Sequence, residues 1–404
     1  MSNNRRTIII GGGTFNHIRN HLSLAAPAFG TTAKVMNKQL PDSEIFLTKM
    51  ADPFSLLTTN QHVSDFIDEL IDDPSVGTIV MNAAICDFEG TIVGSDEESG
   101  KHAERLKTAA GRKLLKLTPS DKIIGRIRLA RPDIFLVGFK TTTGADSETQ
   151  FLTALKFMKS TKCNLVLAND VVTRNNMVIT PEETHYSETT DRYVALKELC
   201  EMIQLRQNLT YTRTKLHDEP NTSMNATPES FQVVVKYLIE NGGFIENNGN
   251  GFTPGHFCYK MNDHSFLSSQ RKANHNKVFD IGLTKLYGDV NSEYISAYGR
   301  TKASVGATSQ RLIFDKFPEY DCIIHTHNPQ REGSDLPTTQ QRPYQCGSLE
   351  CGINTVGSMK VYDEVIAGVF LEKHGANILF RSSCDPQKVI DFINNNLVLG
   401  VKES

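Results

Sequence analysis

Strand-length apolar runs alternate with helical stripes over the first half of this chain. That alternation is its strongest constraint, because strand, helix and next strand in turn build a parallel sheet covered on both faces. Arg6-Thr7-Ile8-Ile9-Ile10 reads as a buried strand running into Gly11-Gly12-Gly13, and further strands are expected over residues 44–50, 78–81, 134–138 and 164–168. Between them Val63, Phe66, Ile67, Leu70 and Ile71 repeat at the spacing of one buried helix face. A sheet of about five parallel strands follows.

The rhythm breaks at a polar stretch rich in Asn, Thr and Arg. With 404 residues the chain also exceeds the roughly 250–300 residues at which single cores stop growing. Two domains are therefore expected, residues 1–205 and 227–404, joined by a linker over 206–226. Thr227 is read as the cap of a new helix with Pro228 in its first turn, and Asp385 with Pro386 opens the last helix in the same way. Beyond the linker, helices and strands mix without regular alternation. A net charge of -3 and the lack of a basic run interleaved with aromatics argue against a nucleic-acid partner. No run approaches the roughly 18 apolar residues of a membrane span, and the polar first residues lack a signal peptide's apolar region, so no membrane partner and a cytoplasmic location are expected. The eight cysteines stand singly, which fits reduced, buried thiols.

Open parallel sheets bind ligands at the carboxyl ends of their strands. Four polar clusters fall there: Gly11 to Asn20, Asn82-Ala83-Ala84-Ile85-Cys86-Asp87-Phe88, Gly138-Phe139-Lys140-Thr141-Thr142-Thr143, and Ala168-Asn169-Asp170-Val171. The glycines let backbone approach a phosphate, and a bare turn without a ligand is the alternative reading. In order and spacing these clusters resemble the phosphopantothenoylcysteine synthetase family, over about residues 5–203. Leu167-Ala168-Asn169-Asp170-Val171 resembles its Ala-Asn-Asp segment, and Ile18-Arg19-Asn20-His21 resembles its Ile-Ser-Asn-His. The resemblance implies a nucleoside triphosphate with Mg2+ and ligation of a carboxylate to an amine. It implies that Asn20 and Lys107 are catalytic, and that Gly11, Gly12, Gly13, Ala83, Ala84, Asp87, Phe139 and Asn169 bind the nucleotide. The chain departs from the family at Leu22-Ser23-Leu24-Ala25-Ala26-Pro27, where the family has Ser-Ser-Gly-Lys-Met-Gly, and at Lys140-Thr141-Thr142, where it has Ala-Ala-Glu.

In the second half, Tyr320-Asp321-Cys322-Ile323-Ile324-His325-Thr326-His327 reads as an apolar strand ending in two histidines at i and i+2. On a strand these face one side, about 6–7 Å apart, which suits two ligands of one metal ion. Residues 228–400 resemble the class II aldolase/adducin family, which carries such a His-x-His strand after a serine-rich turn and a later His-Gly, here His374-Gly375. The resemblance implies a metal triad of His325, His327 and His374, a divalent ion such as Zn2+, and aldolase, epimerase or dehydratase chemistry on a sugar phosphate. It also implies a homo-oligomer. The family's base is a glutamate just after the serine turn, whereas Ser304-Val305-Gly306-Ala307-Thr308-Ser309-Gln310 carries no carboxylate, so Glu332, Asp335 and Glu350 are candidates. The polar segment from Asn328 to Gly347 reads as a lid whose Arg331 and Arg342 clamp an anion, or as a surface loop with solvated arginines. The expected fold is thus α/β: a Rossmann-like parallel-sheet domain, then a class II aldolase-like α/β domain with a mainly antiparallel sheet. A bifunctional enzyme acting on small acidic substrates and a binding or scaffold protein on the same two folds both remain open.

Overall fold

The computed structural model describes residues 5–94, 98–246, 251–289 and 292–401, with the side chain of Thr308 left aside. The chain forms two compact units, Met1–Pro181 with His185–Gln207, and Glu182–Thr184 with Asn208–Ser404.

The first unit runs β1 (Arg6–Gly13), a hairpin of β2 (Phe15–Arg19) and β3 (Leu22–Ala25), α1 (Thr31–Gln39), β4 (Ser43–Leu47), α2 (Asn60–Asp72) and β5 (Val76–Ala84). A second hairpin, β6 (Phe88–Ile92) and β7 (Leu115–Pro119), precedes α3 (Ile124–Ala130), β8 (Phe135–Thr142), α4 (Ser147–Thr161), β9 (Leu165–Asp170), β10 (Asn176–Ile179), β11 (His185–Thr189) and α5 (Arg192–Arg206). The five strands expected from the apolar runs pair in parallel in the order β4-β1-β5-β8-β9, and β10 and β11 extend the sheet antiparallel. Alternation along β1 sets the two layers. Ile8 and Ile10 pack with Val63, Ile67 and Leu70 of α2, whereas Ile9 packs with Ala33 and Met36 of α1 and Leu196 of α5. Thr59 caps α2 by accepting from the His62 amide.

The second unit contains β12 (Arg213–His217), α6 (Glu229–Glu240), β13 (His256–Asn262), β14 (Ser265–Ser268), α7 (Val278–Ile281), β15 (Thr284–Tyr287), β16 (Tyr294–Tyr298), α8 (Ala307–Lys316) and β17 (Cys322–Thr326). It ends with β18 (Thr338–Thr339), α9 (Leu349–Ser358), β19 (Lys360–Asp363), β20 (Ile366–Leu371), β21 (Gly375–Phe380) and α10 (Pro386–Asn396). These strands form one mainly antiparallel sheet, in which β12 joins β16 and β18 joins β20 in parallel. Again the alternation divides the core. Cys322 and Ile324 of β17 pack with Val234 and Leu238 of α6 and Val389 and Ile393 of α10, and Ile323 packs with Ile313 and Phe314 of α8.

Several local expectations change. The stretch 206–226 is not a bare linker, because it supplies β12 and the fully buried Met224 of the second core. Thr227 does not cap α6: Pro228 occupies the cap position, and the Thr227 hydroxyl donates to the Met224 carbonyl at 2.8 Å. Asp385 does cap α10, accepting from the Gln387 amide with Pro386 in the first turn. The triple glycine leads into the β2-β3 hairpin and no helix starts there; α1 begins only at Thr31.

Candidate functional site

In the first unit the chain leaves β1 to one side toward β4 and returns on the other side as β5, so the strand order reverses between β1 and β5. A crevice outside the carboxyl ends of strands at such a point is where open sheets take ligands. Gly11, Gly12 and Gly13 stand beside Asn82, Ala83 and Ala84 in this register. They do not form a bare phosphate cradle. A Cβ on Gly11 would collide with Ala33, one on Gly12, whose φ is +101°, with Thr48, and one on Gly13 with the Ala26 carbonyl, so these glycines admit the chain's own atoms. Thr14 then bridges the strand ends. Its amide donates to the Ala84 carbonyl at 3.0 Å, its hydroxyl contacts Asn60 Oδ1 at 2.6 Å, and it accepts from the Cys86 amide at 2.9 Å.

Of the remaining residues assigned to this half, Asp87 follows β5, and Phe139 and Asn169 stand near the carboxyl ends of β8 and β9. Asp87 is exposed and ion-paired with Lys122 at 2.6 Å, Phe139 is half-buried, and Asn169 accepts from the Thr141 hydroxyl at 3.3 Å. Asn20 and Lys107 are both exposed, Lys107 at the start of a short turn over Thr108–Ala110. Asp170, next to Asn169, is a structural hub. Burial opposes its charge, but backbone amides of Thr173, Ala145 and Val172 and the Thr142 hydroxyl hold the carboxyl below the usual range. A cleft of about 850 Å³ that the motifs did not indicate opens beyond the β1-β5 point. Phe15, Asn16 and His17 line it together with the first turn of α2, and Lys101, Lys122 and Arg126 bring cationic side chains to it. Glu89 and Asp121 line it as well, Lys122 pairs with Asp87 and Arg126 with Asp68, and burial, ahead of Lys101 and His62, lowers the His17 imidazole.

In the second unit His325, His327 and His374, distant in sequence, converge. Their ligand nitrogens lie within 4.8 Å of one another, with ring centroids 4.6–5.0 Å apart. Residues 323 and 325 fall on the α8 side of β17, His327 follows just past its end, and His374 arrives from the tight turn between β20 and β21, in which Lys373 takes a left-handed φ of +55°. Gly375 makes the approach possible, since its φ is +128° and any Cβ there would run into the Thr326 carbonyl. His325 Nδ1 donates to the Ala376 carbonyl at 2.9 Å, which fixes the tautomer and leaves the lone pair on Nε2. That Nε2 is buried and has no hydrogen-bond partner. Burial first, and His374 second, pushes the His325 imidazole well below its ordinary range and keeps it neutral. Three converging imidazoles, one of them held neutral with a buried lone pair and its opposite N–H tied to a carbonyl, could hold a divalent transition metal and leave further positions for a ligand.

The candidates around this centre fare differently. Arg331 is no anion clamp, because its guanidinium donates to the carbonyls of Asn394 and Leu397 at the end of α10. The segment from Asn328 to Gly347 is likewise fastened, through Gln330 to Leu336, Ser334 to Asn396, and β18 to β20, so it does not have the free span of a lid. Glu350 is spent on the Thr210 amide, at 3.0 Å. His256 was missed. It is buried and lies directly across from His325, with ring centroids 4.7 Å apart. A single histidine opening an apolar strand looks ordinary in sequence, and only the β13-β17 pairing reveals its position.

No protein-family model matches this chain. It is 25% identical over 175 residues to the coenzyme A biosynthesis bifunctional protein CoaBC of Thermococcus kodakarensis, a match spanning 41% of each chain. The chain thus spans about two fifths of that relative's length. Among solved structures, the DNA/pantothenate metabolism flavoprotein of Streptococcus pneumoniae aligns with 50% of this chain and 98% of its own, at 19% identity and a TM-score of 0.41. The L-fuculose-1-phosphate aldolase of Thermus thermophilus aligns with 42% of this chain and 89% of its own, at 13% identity and a TM-score of 0.30. The chain is a mixed α/β protein with one parallel-sheet unit and one mainly antiparallel unit.

Proposed function

We propose that this chain is a two-part metabolic enzyme. The second unit holds a divalent metal on His325, His327 and His374 and acts as a lyase-type catalyst on a small anionic substrate. The observation that carries this reading is the buried, unpartnered Nε2 of His325 facing two further imidazoles. An all-histidine set leaves the ion's full charge in place, which favours an anionic ligand, and the metal would supply polarisation of a carbonyl or hydroxyl oxygen. The chain's own contribution is to fix three donors through the β17 strand end, the Ala376 carbonyl and the Gly375 turn.

For the first unit, the similarity to the coenzyme A protein supports a ligase-type domain, and we assign to it a nucleoside triphosphate with Mg2+ and a carboxylate. The β1-β5 crevice would hold the nucleotide beside Ala83, Ala84 and Asp87, and Lys101 in the cleft beside it would meet the anionic partner. Elemental analysis of the purified protein should find about one transition-metal ion per chain, lost in the His325→Ala/His327→Ala/His374→Ala variant. Parent protein without metal would remove the reading. A second reading, ligand binding without turnover, is favoured by the stretch from Ser304 to Gln310, which carries no carboxylate where the resemblance calls for one. Metal-loaded protein that binds sugar phosphates yet exchanges none of their carbon-bound protons would decide for it.

A further inference from the structure

The His256 imidazole has no place in the ligand set above, yet it is held on two sides. On one side is His325, whose ring plane is tilted 33° from its own across the β13-β17 pair. On the other side is Gly306, where a Cβ would collide with the ring and stand 2.8 Å from its Nδ1. Gly306 sits just before α8 with φ −67° and ψ −6°, a conformation open to any residue. Glycine is therefore required at this position by the ring that it faces, and the backbone makes no such demand. Among the described residues no hydrogen bond engages the His256 ring, so its place is set by packing between these two neighbours.

Hydrogen bonding leaves part of His325 unspecified. The Ala376 carbonyl fixes which nitrogen carries the proton, but one hydrogen bond along Nδ1 leaves the ring free to rock about that axis. A flat neighbour against the ring face removes that freedom. We propose that His256, wedged between Gly306 and His325, is a positioning residue that fixes the plane of the His325 ring, so that Nε2 is directed at the ion shared with His327 and His374. This rests on the metal reading above.

The test is a cobalt(II) titration of the full chain, read by ligand-field absorption and independent of any turnover. His256→Ala should weaken cobalt binding 10- to 100-fold, the usual effect of removing a group that orients a ligand, and should broaden or shift the absorption bands. Gly306→Ala, which drives the ring onto His325, should weaken binding at least about 10-fold. The Gly306→Ala/His256→Ala pair, in which the methyl enters vacated space, should bind no more weakly than His256→Ala alone. A role confined to packing would lower the melting temperature and leave affinity and spectrum of the folded protein unchanged. His256→Ala with parental affinity and spectrum overturns the proposal, and if that variant does not fold, parental binding by Gly306→Ala overturns it equally. Parent protein that takes up no cobalt sinks the metal reading itself, a result distinct from intact binding that His256 does not influence.

Discussion

His275 shows what burial does to a single side chain in this unit. Its Nε2 donates to the Gly255 carbonyl at 2.9 Å, and its ring lies edge-on to Phe244 and Phe257. Burial is the larger effect and outweighs the carbonyl, bringing the imidazole down to about 4 from 6.5. The unfolded chain therefore takes up the proton first. The stability that neutral His275 contributes is complete above pH 6.5, declines as pH falls below it, and stops declining below about 4. At pH 4.5 the loss amounts to roughly 2–3 kcal/mol. His256 and His325 shift in the same direction, so the whole unit should weaken in acid. His275→Gln keeps a donor for the Gly255 carbonyl and cannot titrate. Its urea midpoint should fall less than the parent's between pH 7 and pH 4.5, and an equal fall would show that His275 does not drive the acid response.

At the scale of elements, what the sequence made legible was what depends on local pattern. The apolar runs marked the five parallel strands because four of them are buried on both faces and the edge strand β4 still carries Ile45, Phe46 and Leu47, and Asp385-Pro386 marked the start of α10 because a cap is a local hydrogen bond. His325, His327 and His374 were legible as candidates through motif alone. Their convergence depends on β17 pairing with β21 across some fifty residues, a fact that no window contains. The hairpins β2-β3 and β6-β7 were not read, because β7 is exposed throughout and shows no buried stripe. The stretch 206–226 looked like a linker since β12 is an edge strand, mostly polar and paired on one side only. Met224 tests this revision. It is fully buried in the same cluster as Phe231 and Leu283, so Met224→Ala should lower the stability of the second unit by about 2–5 kcal/mol. In a linker the same change would be nearly silent, and a shift in chemical denaturation below about 0.5 kcal/mol would return the segment to that role.

At the scale of the whole molecule, the proposal gives each of the two folded units its own ligand, and these ligands should stabilise them separately. A ligand at 100 times its dissociation constant adds about 2.7 kcal/mol to the state that binds it. Opening motions of the unit that holds it are suppressed to a similar degree, so amide exchange slows there. A divalent transition metal should slow exchange in β17, β20 and β21, where the three imidazoles are anchored. A nucleoside triphosphate with Mg2+ should slow it at the ends of β1 and β5 and in the first turn of α2, around the switch point and its cleft. Hydrogen exchange read by mass spectrometry, with each ligand added alone, separates the two effects within one chain. The His325→Ala/His327→Ala/His374→Ala variant should lose the first pattern and keep the second. If the triphosphate instead protects only the segments around β17 and β21, the division of labour between the units is wrong. In that case the cleft of the first unit serves some other ligand.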